Sequence, residues 1–448
     1  MVAATSLRGA TDVVGLLDVP AGAYVHIPFC SWICPFCPYN KVLTSDELSR
    51  PYLTAFRQEV DAVADAHLRA FGPFTSLYVG GGTPTLFPEI LNDLVDRLPV
   101  TGRRAVEVLP THATPAGLDR LADAGFDAVS IGAQSFHDPV LRRLGRPHDA
   151  AASRAAVAAA VGRFAVVDVD LIVDVALEGP GTDPWTAAFL EDAAECFAAG
   201  VAQVSTYPLM RFGYTPFGTG RHARRREHAV LAEVDRIARR SGYERRSVWT
   251  FARSGAEAYT SITRRRFLGM GAGAGSVTGR DLLVNHFGLA PYRAAVDAGR
   301  LPVARRFHLG DGGGAAYEAF WQAYAGALDE GVLRSAYGPA GLLPARLATA
   351  AARACGLVVP DHGTLRLTPR GYDVFHDLER QVTYRLIEPL WAQLLREHDE
   401  RAAATPDEVR SVSWAAPDRG RRGAAWWLAR RLTERPVPTS TWTGREAE

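Results

Sequence analysis

Tyr24-Val-His-Ile-Pro-Phe-Cys-Ser-Trp-Ile-Cys-Pro-Phe-Cys-Pro-Tyr-Asn40 carries three of the chain's five cysteines within eight residues. Cys30, Cys34 and Cys37 form Cys-x3-Cys-x2-Cys. Tyr24 to Ile27 reads as a short strand. From Glu47 to Leu68, Tyr52, Leu53, Phe56, Val60, Val63 and Ala64 recur at helical spacing. The order is strand, cysteine loop, helix. Structural zinc usually takes four ligands, and no second cysteine pair or His-x3-5-His follows at suitable spacing, so zinc is the weaker reading. Three thiolates on a tight loop suit a cubane 4Fe–4S cluster with one iron left without a protein ligand. Such an iron is open to a substrate or cofactor.

The strand and helix pattern repeats along the chain. Leu77-Tyr78-Val79 runs into Gly80-Gly81-Gly82, and Ile90, Leu91, Leu94, Val95 and Leu98 give the next helix. Val106 to Leu109 is a third strand. Thr114 offers an N-cap with Pro115 at the first helical position, and Gly125 closes that helix. Ala128 to Ile131, Val166 to Val175 and Val204 to Tyr207 complete six strands, separated by helices over Ala151–Val161 and through Trp185, Phe189 and Phe197. Six alternating units predict an α/β fold, an incomplete (βα)6 barrel with its chemistry at the C-terminal ends of the strands.

Past about residue 245 the regularity is lost. Leu268 to Ser276 is Gly-rich, and Gly310-Asp-Gly-Gly-Gly314 reads as a flexible surface loop. Helices and a hairpin over roughly 340–385 suit a mostly helical, winged-helix-like C-terminal domain. The expected division is a leader over 1–23, packed loosely, the barrel over 24–245, an extension with a Gly-rich cofactor segment over 246–300, the C-terminal domain over 301–390, and an Arg/Trp-rich helical tail over 391–448 with Trp426 and Trp427.

Among 448 residues, 50 Lys+Arg against 49 Asp+Glu leave a formal charge of +1. That balance argues against nucleic acid or an anionic membrane as a main partner. The runs Arg224–Arg226 and Arg264–Arg266 are candidate sites for an acidic ligand. The first residues lack a basic segment followed by an apolar one, and no window of about 18 apolar residues occurs, so the expected location is cytoplasmic. Arg264 to Met270 looks like a twin-arginine signal but sits mid-chain, where such a signal cannot act. Three clustered cysteines out of five make no disulfide framework.

The cysteine stretch closely resembles the radical S-adenosylmethionine (SAM) enzymes, in which the methionine part of SAM chelates the open iron and reductive cleavage yields a 5′-deoxyadenosyl radical. With Gly80-Gly-Gly-Thr-Pro-Thr85, Ser130-Ile-Gly-Ala-Gln-Ser-Phe136, Leu144-Gly-Arg146 and Leu268-Gly-Met-Gly271, residues 24–385 resemble the subgroup of oxygen-independent coproporphyrinogen III oxidase and the related haem chaperone. The resemblance implies a 4Fe–4S cluster on Cys30, Cys34 and Cys37, and a low-potential electron donor such as flavodoxin or ferredoxin. It implies that Gly81, Gly82 and Thr83 hold the methionine part of SAM and that Glu107 contacts a bound cofactor. A Gly triplet at a strand end suits this role, because successive backbone N–H groups there can receive a carboxylate. By the same resemblance Gln134, Arg146 and Asp170 surround a second SAM molecule, and Tyr24, Phe36, Pro208 and Gly275 make further cofactor contacts.

The departures from the subgroup set the functional expectation. Pro38-Tyr39 stands where the oxidases have Gly-Cys. Tyr259-Thr-Ser-Ile-Thr-Arg-Arg-Arg replaces the chaperone's proposed haem-ligand segment, and Val173 to Pro180 replaces the usual Tyr-Gly-Leu-Pro. This combination resembles the class C radical SAM methyltransferases. The resemblance implies transfer of a methyl or methylene group from a second SAM to an unsaturated carbon of a planar specialised metabolite. Oxidative decarboxylation of a porphyrinogen propionate and haem carriage are the alternatives. Tyr207, His26 and Tyr214 lie near predicted strand ends as candidates to handle a proton.

Overall fold

A computed structural model describes residues 9–173, 184–218, 224–256, 259, 265–401 and 410–413. Six parallel strands form the centre: β1 (Gly22–Ile27), β2 (Leu77–Gly81), β3 (Arg104–Val108), β4 (Ala128–Gln134), β5 (Val166–Val173) and β6 (Gln203–Pro208). They are adjacent in space in chain order, as short right-handed crossovers require. The helices between them include α1 (Asp46–Phe71), α2 (Pro88–Arg97), α3 (Pro115–Asp123), α4 (Asp138–Arg143), α5 (Ala150–Ala160) and α6 (Pro184–Ala198). Ser45 caps α1, and Thr114 caps α3 with Pro115 at the first helical position, as the sequence signals predict.

Alternation along the strands sorts the side chains. Val25, Ile27, Val79, Val106, Val129, Ile131, Val169 and Leu171 pack outward against Tyr52, Phe56 and Val60 of α1, Leu91 and Leu94 of α2, and Phe189 and Phe197 of α6. The inward set begins with a layer of Tyr78, Ala105, Ala128 and Val166, against which Tyr24 and Tyr259 pack. One pleat further along, the paired positions are Glu107, Ser130 and Asp168. A parallel strand buried on both faces is apolar almost throughout, so the inward carboxyls stand out.

Regularity does not stop at residue 245. β7 (Tyr243–Arg245) and β8 (Thr250–Arg253) add antiparallel strands beside β6, and β9 (Phe267–Met270) pairs in parallel with the other side of β1. β10 (Gly275–Val277), β11 (Asp281–Asn285) and β12 (Val303–His308) extend that edge, and residues 410–413 continue it in a 13-stranded sheet. The "flexible loop" at Gly310–Gly314 is instead the first turn of α7 (Gly310–Tyr324): Gly314 lies so close to the Gly279 carbonyl that a Cβ there has no room. The segment before β1 is not loosely packed either. Val13, Val14 and Leu17 are buried in the main core.

The C-terminal part follows the expected helix, hairpin, helix order in α8 (Glu330–Ala354), β13 (Val358–Asp361), β14 (Thr364–Leu367) and α9 (Pro369–Val382), followed by α10 (Glu388–Arg401). Arg266 staples it to the barrel, donating to Asp18, Glu318 and the Tyr337 hydroxyl, while Arg265 pairs with Glu318. These two members of the second arginine run are therefore committed to protein carboxylates. Arg226 lies in the helix over Arg224–Arg240, and Trp426 and Trp427 lie outside the described residues. Among the described residues no helix is long and apolar enough to cross a membrane.

Candidate functional site

The cysteine loop leaves the C-terminal end of β1 and folds back over the mouth of the barrel. His26 holds its base. Burial lowers the imidazole to about 4, so the ring is neutral. Its Nε2 lies 2.9 Å from the Asn40 carbonyl and its Nδ1 2.8 Å from the Tyr24 hydroxyl. Since a carbonyl only accepts, Nε2 carries the proton and Nδ1 accepts from Tyr24. The Asn40 amide donates to the carbonyls of Ala272 and Phe287, fixing the far end of the loop to the strands beyond β9. Trp32 Nε1 donates to the Gly145 carbonyl, 2.8 Å away, holding the outer side.

The three thiols are free. Burial pushes Cys30 up to about 11 against a hydrogen bond from Thr83, and it also raises Cys37. Metal binding offsets that cost by taking the thiolate form. Among the described residues no three His, Cys, Asp or Glu side chains converge on a point suited to one ion. A cubane asks for a different arrangement, because each thiolate ligates a separate iron.

Gly81 and Gly82 sit against this loop. Gly82 N donates to the Ile27 carbonyl and Thr83 N to the Phe29 carbonyl, both at 2.7 Å. A Cβ on Gly82 meets Phe29 O at 2.4 Å, and Gly81 has φ +110 with the His26 ring against it. Glu107 accepts from the Tyr78 hydroxyl at 2.9 Å and from Gly81 N at 3.2 Å. Burial lifts its carboxyl to about 7 despite these donors.

Arg146 reaches over from the turn after α4. Its Nη1 lies 3.2 Å from Cys34 Sγ and its Nη2 donates to the Gly132 carbonyl at 2.7 Å. Gly132 leaves the space in which Arg146 and the Gln134 amide lie together, and Gln134 itself has φ +68, rare without a Gly. Ser130 donates to Asp170 at 2.9 Å. Burial, with Asp168 and Glu107 nearby, pushes Asp170 well above the usual carboxylate range. Asp170 Oδ1 and Arg146 Nε are buried without a hydrogen-bond partner. Natural proteins rarely leave such atoms unsatisfied, and a polar ligand between the two would pair both.

The structure thus gathers Cys30, Cys34, Cys37, Gly81, Gly82, Thr83, Glu107, Gln134, Arg146 and Asp170 at one end of the barrel. Tyr24 lies deeper, Phe36 packs on Leu144 and Ile172, and Pro208 ends β6. Gly275 stands one strand beyond β9. It is Gly271 and Gly273, in the turn before it, that touch the cysteine loop through His26 O and Asn40. Asn40 was legible only as the end of the cysteine stretch, and Asp168 only as Asp170's neighbour at strand period. A cavity of about 780 Å³ near Thr85, His112 and Arg120 opens between α2 and α3 on the outer wall, away from the thiols.

Residues 24–178 match the family described as the Radical SAM superfamily. The oxygen-independent coproporphyrinogen III oxidase of Pseudomonas aeruginosa is 34% identical over 172 residues, 36% of this chain and 37% of that one. The heme chaperone HemW of Lactococcus lactis is 27% identical over 281 residues, covering 58% of this chain and 70% of that one. The matched segment therefore spans little more than a third of the oxidase's length. The solved coproporphyrinogen III oxidase of Escherichia coli superposes with a TM-score of 0.67 at 21% identity, covering 82% of this chain and 91% of that one. These likenesses overturn the expectation of a methyltransferase: the relatives are named as oxidases, heme chaperones and an anaerobilin synthase. The departures at Pro38-Tyr39 and Tyr259 do not outweigh these likenesses.

Proposed function

From the premise of a chain with the radical SAM fold, we propose that it oxidises a carboxylate-bearing tetrapyrrole. The closest chemistry is the oxygen-independent oxidation named for its oxidase relatives. The observation that carries this reading is the three-cysteine loop facing Glu107, Arg146 and Asp170 at one barrel mouth, in a chain whose relatives are named for coproporphyrinogen and heme.

Cys30, Cys34 and Cys37 hold the 4Fe–4S cluster, and Gly81, Gly82, Thr83 and Glu107 hold SAM beside it. When bound, the pair supplies a 5′-deoxyadenosyl radical, an acceptor for one hydrogen atom. The chain's own groups position and shield. Gly82 brings the backbone against the cysteine loop, and the Tyr78 hydroxyl and Gly81 N–H orient the Glu107 carboxyl. Arg146 sets the Cys34 side of the loop, and Asp170 with Arg146 offers the unpaired polar atoms for a second SAM molecule. The substrate change is loss of a hydrogen atom, CO2 and one electron from a propionate, leaving a vinyl group. The electron passes to a one-electron acceptor.

The test is reconstituted, reduced protein incubated with SAM and coproporphyrinogen III. 5′-Deoxyadenosine and CO2 accumulate together if the reading is right, and deoxyadenosine without CO2 or a vinyl product rejects it. The long match to HemW favours a second reading, haem carriage, which titration with haem separates through a Soret shift and stoichiometric retention.

A further inference from the structure

Pro38-Tyr39 is the part of the cysteine stretch that the cluster does not use. Tyr39 projects from the loop two residues past Cys37 and is 50% exposed. Its ring lies 5.6 Å from that of Trp391 on α10, tilted by 54°. Phe212, in the loop after β6, lies 6.3 Å from Trp391 and stacks on Tyr214 at 5.4 Å and 11°. The Tyr214 hydroxyl donates to the Pro38 carbonyl at 3.2 Å, tying that loop to the cysteine loop. Three separate elements thus bring aromatic rings to the barrel end that carries the thiols.

We infer that Tyr39, Trp391 and Tyr214, backed by the buried Phe212, form an aromatic wall that takes the flat face of a conjugated ring, a pyrrole of the tetrapyrrole substrate, and so help to select it. This rests on the proposed substrate class and deepens it. The wall has the needed chemistry: rings pair best in offset or tilted arrangements at these separations, gaining attraction beyond area burial. A half-exposed tyrosine beside a half-buried tryptophan leaves ring area for a ligand to cover. Aromatic rings also carry little rotational freedom to lose on binding, which makes them effective anchors.

The test uses cluster-reconstituted full-length protein and coproporphyrin III as probe, its fluorescence read during titration. An acyclic tetracarboxylate serves as a control for charge alone. Tyr39→Leu and Trp391→Leu each weaken porphyrin binding about fivefold, in the range of a lost aromatic contact, while Tyr39→Phe keeps it. None of the three changes the weak binding of the control. Iron content and the thermal midpoint are measured on every variant. The two leucine variants lie on different elements, so misfolding of one leaves the other decisive. Porphyrin binding by the wild type that neither leucine variant weakens overturns the wall and leaves the substrate class standing. A wild type that binds coproporphyrin no better than the acyclic control overturns the substrate class and the wall with it.

Discussion

Gly82→Ala probes the packing of the SAM segment on the cysteine loop. The new Cβ stands 2.4 Å from Phe29 O, 2.7 Å from Phe29 C and 2.9 Å from Phe29 N. All three are backbone atoms of the residue before Cys30, and Phe29 is fully buried. No side chain can swing away, so about 1 Å of separation has to come from moving one segment. The hydrogen bonds of Gly82 N and Thr83 N to β1 and Phe29 resist that movement. Overpacking of this kind costs about 1–3 kcal/mol, and an ångström of misplacement in a reacting site costs roughly 100-fold in rate. Gly80→Ala is the internal control. Its Cβ comes as close, 2.6 Å, but to the Glu107 carboxyl rather than to backbone, so its effect is bounded by the loss of that one contact, about tenfold. SAM cleavage, read as 5′-deoxyadenosine by chromatography alongside iron content, falls roughly 100-fold in Gly82→Ala and far less in Gly80→Ala. Wild-type cleavage by Gly82→Ala, or equal losses in the two variants, refutes the argument that this backbone contact positions SAM.

Glu107→Gln keeps the shape and removes the charge, so SAM binding by equilibrium dialysis weakens about tenfold while the thermal midpoint holds or rises. Burial raises the Glu59 carboxyl from 4.5 to about 7, although Gly271 N, the Asn285 amide and the Tyr292 hydroxyl all donate to it. An acid with a higher pKa folded than unfolded binds more protons when folded, so its share of stability is present below about pH 4.5 and lost as pH rises through about 7. That share is at most roughly 3 kcal/mol. Midpoints recorded from pH 5 to 8 fall more steeply for the wild type than for Glu59→Gln, and parallel curves would reject the assignment. Arg266→Met takes one of two cations from the nearly fully buried Glu318, which keeps Arg265, and leaves Asp18 with only the more distant Arg280. Urea unfolding shows a loss of about 3 kcal/mol, the lower end of what breaking a buried ion pair from one side costs, because Arg265 still faces Glu318.

The barrel was legible because each of its six units announces itself locally. Val25 and Ile27, Val79, Val106, Ile131 and Val169 alternate or run as buried strands, and Thr114-Pro115 marks a helix start that the structure keeps. The edge strands were not legible. Phe267–Met270 is four residues long with a Gly inside, and its strand character comes from pairing with β1 rather than from its own composition. Gly310–Gly314 misleads for the same reason: glycines disfavour a helix alone, yet the close packing of Gly314 under Gly279 selects one. At the site, the cysteines and the Gly triplet were readable from spacing. Asn40 was not, since its partners at Ala272 and Phe287 lie more than 230 residues away. The functional detail is not legible from the departures at Pro38-Tyr39, Tyr259 and Val173 to Pro180, because a missing residue says what a relative's side chain no longer does and not what its replacement does, as Tyr39 beside Trp391 illustrates.

The central claim is that Cys30, Cys34 and Cys37 hold a 4Fe–4S cluster that cleaves SAM. Anaerobic reconstitution followed by dithionite reduction and measurement of 5′-deoxyadenosine tests it most directly. The wild type binds about four irons per chain and releases 5′-deoxyadenosine, whereas Cys30→Ala, Cys34→Ala and Cys37→Ala each do neither. A wild-type protein that fails to produce 5′-deoxyadenosine, or a cysteine variant that still does, contradicts it.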